Sequence, residues 1–199
     1  SGRGDPDRAE RQGSANVGAN VDPMTNMLRT LPTHVDGLIL VDVQVGFRTV
    51  ETEHVIETIV DLTVAAQRAH LPIVLTRFVN HPSSLFRSEL DWNDCSEEHP
   101  SSQIIEELAD AAGRHPVIRK FGYSAGGVLA AHCRARDVAR PLVVGIDTDS
   151  CVLACASELF DSGIAPVIRA DACASTGGPE MHDAGIALMR RMFGPGALL

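Results

Sequence analysis

The chain is poor in aromatic residues, with Phe, Trp and Tyr together making up 4% of its 199 residues. Ala, Val, Leu and Ile must therefore fill most of any core, and the apolar set as a whole reaches 44%. Runs of Lys and Arg are also missing, and the formal net charge is −9 at pH 7. That balance excludes a basic surface for nucleic acid or anionic lipid. Arg134, Arg136 and Arg140 form the one basic cluster, in a place where helix ends gather such residues. No apolar run approaches the roughly 20 residues that span a bilayer, and the first residues hold no apolar signal core. A cytoplasmic protein without a membrane partner is expected. Neither GxGxxG after a strand nor GxxxxGK[ST] occurs, so the usual phosphate-cradling loops are absent.

Cysteine is present but unpaired in pattern. Cys95, Cys133, Cys151, Cys155 and Cys173 form an odd set with neither a disulfide framework nor paired CxxC spacing, and reduced thiols are expected. His81 and His99 share one polar loop without an HxxxH-type spacing, so no metal and no cofactor is expected.

The length suits one domain with a substantial core. Residues 1–23 are rich in Gly, Asp, Arg, Asn and Ser without apolar periodicity; they read as a disordered leader or tag, and 24–199 as the single domain. Within it, residues 37–43 (GLILVDV), 72–79, 115–121, 142–146 and 165–170 are apolar runs of strand length. Helical periodicity occupies 53–70, 103–112, 128–136, the segment from Cys151, and 179–192. Alternation of this kind implies right-handed βαβ units: an α/β fold of three layers, doubly wound around a mainly parallel sheet. Residues 80–100 form a long polar loop, read as a lid, a pocket wall or a subunit contact.

Ligands in such folds bind beyond the carboxyl ends of the strands. Three chemically complementary residues fall there. Asp42 interrupts the first apolar run, Lys120 ends the third, and Cys151 follows the fourth. Asp147, Thr148, Asp149 and Ser150 supply helix-capping side chains, which puts Cys151 in the first turn of a helix. Free N–H groups and a neighbouring ammonium favour a thiolate there, and an aspartate can take the thiol proton and return it to a leaving amine. Each residue also has a plainer role: Asp42 as a turn residue, Lys120 reaching to solvent, Cys151 as a small hydrophobe.

The segments LILVDVQVGF, VIRKFGYSA and VVGIDTDSCV resemble the signature segments of the isochorismatase-like cysteine hydrolase superfamily, over roughly residues 35–175. The resemblance implies Asp42 as acid/base, Lys120 as electrostatic partner and Cys151 as nucleophile of an amide, ureido or carbamoyl hydrolase. It also implies a cis peptide at Ile146-Asp147 and an oxyanion hole from the backbone N–H groups near Asp147 and Cys151. Members are commonly homodimers or homotetramers acting on small molecules. The family's nicotinamidases bind a metal through an Asp and paired histidines, a pattern from which FVNHPSSLF departs. Isochorismatase-type ether cleavage and a non-catalytic binding role are the alternatives. Phe47, Trp92 and Tyr123 are candidate pocket walls, and Asp147 is read either as a helix cap or as a selector for basic or hydrogen-bond-donating substrates.

Overall fold

The computed structural model describes residues 31–199. The leader expected at 1–23 lies outside the described residues. Five parallel strands, β1 (Gly37–Val41), β2 (Ile73–Phe78), β3 (Val117–Lys120), β4 (Pro141–Ile146) and β5 (Val167–Ala174), form one sheet in the order β3-β2-β1-β4-β5. The chain winds one way from β1 to β3 and the other way through β4 and β5, so the switch point lies between β1 and β4.

The near-continuous apolar runs are explained by helices on both faces. Leu38 and Leu40 of β1 join Leu142 and Val144 of β4 under helix α1 (Ile56–Arg68), which buries Ile59, Leu62 and Ala66. Ile39, Val41 and Val143 point the other way. They meet three helices: α4 (Val128–Arg134), α5 (Leu153–Asp161) and α6 (Pro179–Phe193). The period-two alternation thus assigns each strand residue to a layer.

Several boundaries differ from the sequence reading. The region expected as one helix over 103–112 begins with an isolated bridge between Gln44 and Ile104, passes through a 3-10 turn (Glu106–Leu108) and becomes helical only in α3 (Ala109–Arg114). The long loop holds a short helix, α2 (Leu85–Ser88). Strand β5 runs beyond residue 170, because a register irregularity lets Gly145 pair with Cys173 after Val143 has paired with Ile168. Polar Asp171 within the Ala-Asp-Ala-Cys-Ala stretch hides this extension from an apolar-run criterion.

Gly145 marks the switch point. It pairs with Val41 at φ 132°, and a Cβ there would lie 2.1 Å from the Val41 carbonyl oxygen. Only glycine allows β1 and β4 to approach this closely.

Candidate active site

Asp42 follows β1 with φ 48°, a left-handed conformation that Asp tolerates better than most residues. It turns the chain out of the sheet at the switch point. Its N–H donates to Thr76 Oγ1 at 3.1 Å, and the Thr76 hydroxyl donates to Asp42 Oδ1 at 2.7 Å. One carboxylate oxygen is thereby fixed by the neighbouring strand.

Lys120 ends β3, two strands away, and its stem crosses β2. The ammonium stands 5.4 Å from the Phe78 ring centroid and 2.6 Å from Asp42 Oδ2, with both side chains shut off from solvent. Its approach to Oδ2 falls outside hydrogen-bonding angles, so the contact is an ion pair more than a directed bond. Directed bonds run instead from Nζ to the carbonyls of Gly122 at 2.8 Å and Tyr123 at 2.9 Å, and to Cys151 Sγ at 3.4 Å. Burial works against the charge, but the Asp42 carboxylate holds the Lys120 pKa well above its ordinary value. Lys120 is the only lysine in the sequence.

Cys151 does not sit in an α-helical first turn. A single π-helical turn, Thr148–Val152, precedes α5, and the peptide bond Ile146-Asp147 before it is cis. The Asp147 carbonyl accepts from the N–H groups of Ser150 at 3.3 Å and Val152 at 2.9 Å, on either side of Cys151. Helix α6 presses on this turn: a Cβ on Gly185 would lie 2.8 Å from Asp149 Cα. Thr148 Oγ1 is 2.8 Å from His182 Nδ1 of the same helix.

The electrostatics revise the thiolate expected from the sequence. Burial pushes the Cys151 thiol well above its ordinary value, the Asp42 carboxylate adds to the push, and the Lys120 ammonium offsets only part of it. An ion pair with a neutral thiol is balanced in charge. A thiolate beside the same ion pair leaves one uncompensated buried charge, which is why burial and the Asp42 carboxylate together drive the thiol upward.

Cys151 lines a cavity of about 400 Å³, with Asp42 and Lys120 behind it, outside the lining. Phe47, Trp92 and Tyr123 all line this space. So do Phe78, Phe86 and Leu90, which sequence reasoning missed. Trp92 stacks on Phe78 with centroids 5.5 Å apart and lies 5.7 Å from Phe47, while Phe86 contacts Tyr123 at 5.0 Å. Five aromatic residues, Phe47, Phe78, Phe86, Trp92 and Tyr123, therefore converge on this cavity, whereas Phe160 and Phe193 pair elsewhere. Phe78, at the carboxyl end of β2, was findable by the same strand-end argument that picked Asp42.

Asp147 is also at the cavity, and its carboxylate does not cap the helix. Oδ1 accepts the Thr176 N–H at 2.6 Å and Oδ2 the Thr176 hydroxyl at 2.9 Å, joining the turn that carries Cys151 to the segment after β5. Burial raises its pKa, against the pull of the two Thr176 bonds. Asp149 lines the same space, and its Oδ1 is buried without a hydrogen-bond partner among the described residues.

A family model described as the isochorismatase domain matches residues 36–197. The chain belongs to the isochorismatase family. No curated protein matches it. Solved structures share its isochorismatase-like fold. A nicotinamidase from Bacillus subtilis superposes with a TM-score of 0.70 at 23% identity, covering 79% of this chain and 96% of that one. A pyrazinamidase/nicotinamidase from Streptococcus mutans UA159 gives 0.73 at 20% identity, over 82% and 99%. An N-carbamoylsarcosine amidase from Thermoplasma acidophilum gives 0.69 at 22% identity, over 79% and 92%.

Another of these structures, a pyrazinamidase of Pyrococcus horikoshii, was solved in complex with zinc. The described residues of the present chain bring no three His, Cys, Asp or Glu side chains together as a metal site requires. His81 Nδ1 contacts the Ser83 hydroxyl at 2.9 Å, and His99 Nδ1 accepts the Ser101 N–H at 3.2 Å. Among the described residues no helix is long and apolar enough to cross a membrane.

Proposed function

We propose that this isochorismatase-family protein hydrolyses a C–N bond of a small amide, ureido or carbamoyl compound through a thioester on Cys151. One observation carries the reading: a thiol facing the cavity, backed by a carboxylate and an ammonium 2.6 Å apart and sealed from water.

Cys151 Sγ attacks the substrate carbonyl carbon while Asp42 takes the thiol proton. The tetrahedral oxyanion is held by backbone N–H groups of the Asp147–Cys151 turn. Collapse breaks the C–N bond, and Asp42 returns the proton to the departing nitrogen, which leaves as ammonia or an amine. A water molecule at the thioester then gives a proton to Asp42 and its oxygen to the carbonyl carbon. The C–S bond breaks, and the sulfur recovers the proton. Lys120, whose charge the Asp42 carboxylate holds in place, steadies the negative charge that passes between oxygen and sulfur.

The proposal takes residues 24–199 as one domain acting in the cytoplasm as a homodimer or homotetramer. Leu85, Leu90, Phe121 and Tyr123 support the assembly, because they leave an apolar surface beside the cavity. Light scattering on the eluted protein reads the oligomeric state. An ammonia-release screen over amides, ureas and carbamoyl amines tests the activity, with Cys151→Ala as control. Release that depends on Cys151 supports it, and equal release by the variant contradicts it.

A further inference from the structure

Part of the cavity lining hangs on a loop that the sheet does not hold. Residues 81–94 leave the end of β2 after Asn80, return at Cys95, and supply Phe86, Leu90 and Trp92 to the space in front of Cys151. The polar contacts made inside this segment are local. The Trp92 N–H donates to the Phe86 carbonyl at 2.9 Å, His81 Nδ1 meets the Ser83 hydroxyl, and the Asn93 amide reaches the Asp91 carbonyl. Among the described residues no ion pair ties the segment to the rest of the chain.

Asn80 closes the loop. Its side chain is fully buried. Nδ2 donates to the carbonyls of Trp92 at 2.8 Å and Asp94 at 3.0 Å, and Oδ1 accepts the hydroxyl of Ser84, the residue that starts α2. Its backbone N–H donates to the Cys95 carbonyl at 2.8 Å. A primary amide suits this position because it offers two donors and an acceptor at one end of a short side chain. Among the described residues it is the one side chain outside the segment that hydrogen-bonds into it. The outgoing limb carries Phe86 against Phe78 and Tyr123, and the returning limb carries Trp92 against Phe47 and Phe78. One asparagine thus joins both limbs.

We infer that Asn80 is a positioning residue for binding at Cys151: by clamping the two limbs of the 81–94 loop it sets one wall of the cavity, and releasing the clamp opens that wall while the Asp42–Lys120 pair and the turn that carries Cys151 stay in place. The inference rests on the hydrolase reading for its effect on turnover and on the geometry alone for the wall. Asn80→Asp keeps the shape of the side chain and the acceptor for Ser84, but puts an oxygen where two carbonyls need a donor. With no other tie of this kind, the segment then opens locally, without global unfolding. Ser84→Ala removes the bond to the outgoing limb and leaves the two carbonyl bonds intact.

The wall is measurable without a substrate. Cys151 lines the cavity, whereas Cys95, Cys133, Cys155 and Cys173 are buried outside it and report global opening. N-methylmaleimide and the bulkier fluorescein maleimide are reacted with the full chain at one pH, and modification of each cysteine is followed by mass spectrometry. The ratio of bulky to small reagent rates at Cys151 cancels the intrinsic reactivity of the thiol. Asn80→Asp is expected to raise this ratio at least about fivefold with the other four cysteines still protected. Acrylamide quenching of Trp92, the only tryptophan, is expected to rise with it. Ser84→Ala is expected to move both readings the same way by less, and it decides the matter if Asn80→Asp fails to fold. A ratio unchanged in a folded variant overturns the inference, as does exposure of all five cysteines together, which marks a merely structural role. On an amide that the ammonia-release screen identifies, KM is expected to rise about tenfold with kcat held within about twofold. A loss of kcat at constant KM overturns the inference. Absence of Cys151-dependent release contradicts the hydrolase reading instead, and the alkylation ratio still decides the clamp.

Discussion

The Asp42 carboxylate lies 2.6 Å from the Lys120 ammonium, and neither side chain reaches solvent. Two charges removed from water hold each other in place, so removing one strands the other. Lys120→Met and Asp42→Asn are each expected to lower stability by about 3–5 kcal/mol. The double replacement is expected to cost clearly less than the sum, because it strands no charge. Urea denaturation of the four proteins gives the coupling. Additive losses would mean that the pair is not electrostatically joined.

All the cysteines are buried, and burial raises the thiols of Cys95 and Cys133 to about 11 and those of Cys155 and Cys173 to about 12, from an ordinary 9.0. Cys151 and Lys120 shift in the same direction. A group whose folded pKa is raised contributes stability that is complete below the unfolded pKa and fades as pH climbs toward the folded one. Stability is thus expected to hold up to about pH 8 and then decline steeply between pH 9 and 12. Denaturation midpoints across this range check it, and Cys173→Ala is expected to flatten the slope. A constant midpoint from pH 8 to 11 would contradict the account.

Two glycines hold the geometry around Asp42 and Cys151 by having no side chain. Gly145→Ala drives a methyl into the Val41 carbonyl at the switch point and is expected to prevent folding or to lower the melting temperature sharply. Gly185→Ala presses instead on Asp149 in the turn that carries Cys151. Its expected signature is a loss of kcat of about tenfold or more with a smaller loss of stability, since a misplacement near 1 Å suffices for such effects. Unchanged kcat in Gly185→Ala would show that the turn adapts freely.

Glu158 on α5 accepts the N–H groups of Ala125 at 2.8 Å, Leu129 at 3.1 Å and Ala130 at 3.2 Å, and so caps α4. Glu158→Ala leaves three donors unmatched and is expected to cost about 2–3 kcal/mol. Glu158→Gln keeps an acceptor and is expected to cost about half as much. Thermal unfolding of the two variants decides the order.

The fold was largely legible because apolar runs alternated with helical periodicity, and the doubly wound parallel sheet follows from that alternation. Asp42, Lys120 and Cys151 were legible as polar residues at apolar strand ends. What stayed hidden depends on contacts distant in sequence. The bond between Asp147 and Thr176 joins residues on either side of α5 and β5, and no local pattern announces it. The π turn at Cys151 has the same capping residues as an α-helical start. The direction of the Cys151 shift also required the structure: the sequence suggested a stabilising ammonium, whereas burial and the Asp42 carboxylate outweigh Lys120. Gln44 is a further case. It is fully buried, donates to the carbonyls of Phe78 and Ser102 and accepts the Phe78 N–H, and nothing in QVGF distinguishes it from a surface glutamine.

The central claim is covalent chemistry at Cys151. The most direct measurement is mass spectrometry of the protein quenched in acid during turnover of its best amide substrate. The account predicts an acyl adduct on the peptide containing Cys151, released by hydroxylamine, and neither adduct nor ammonia from Cys151→Ala. Ammonia release that continues in Cys151→Ala would contradict it.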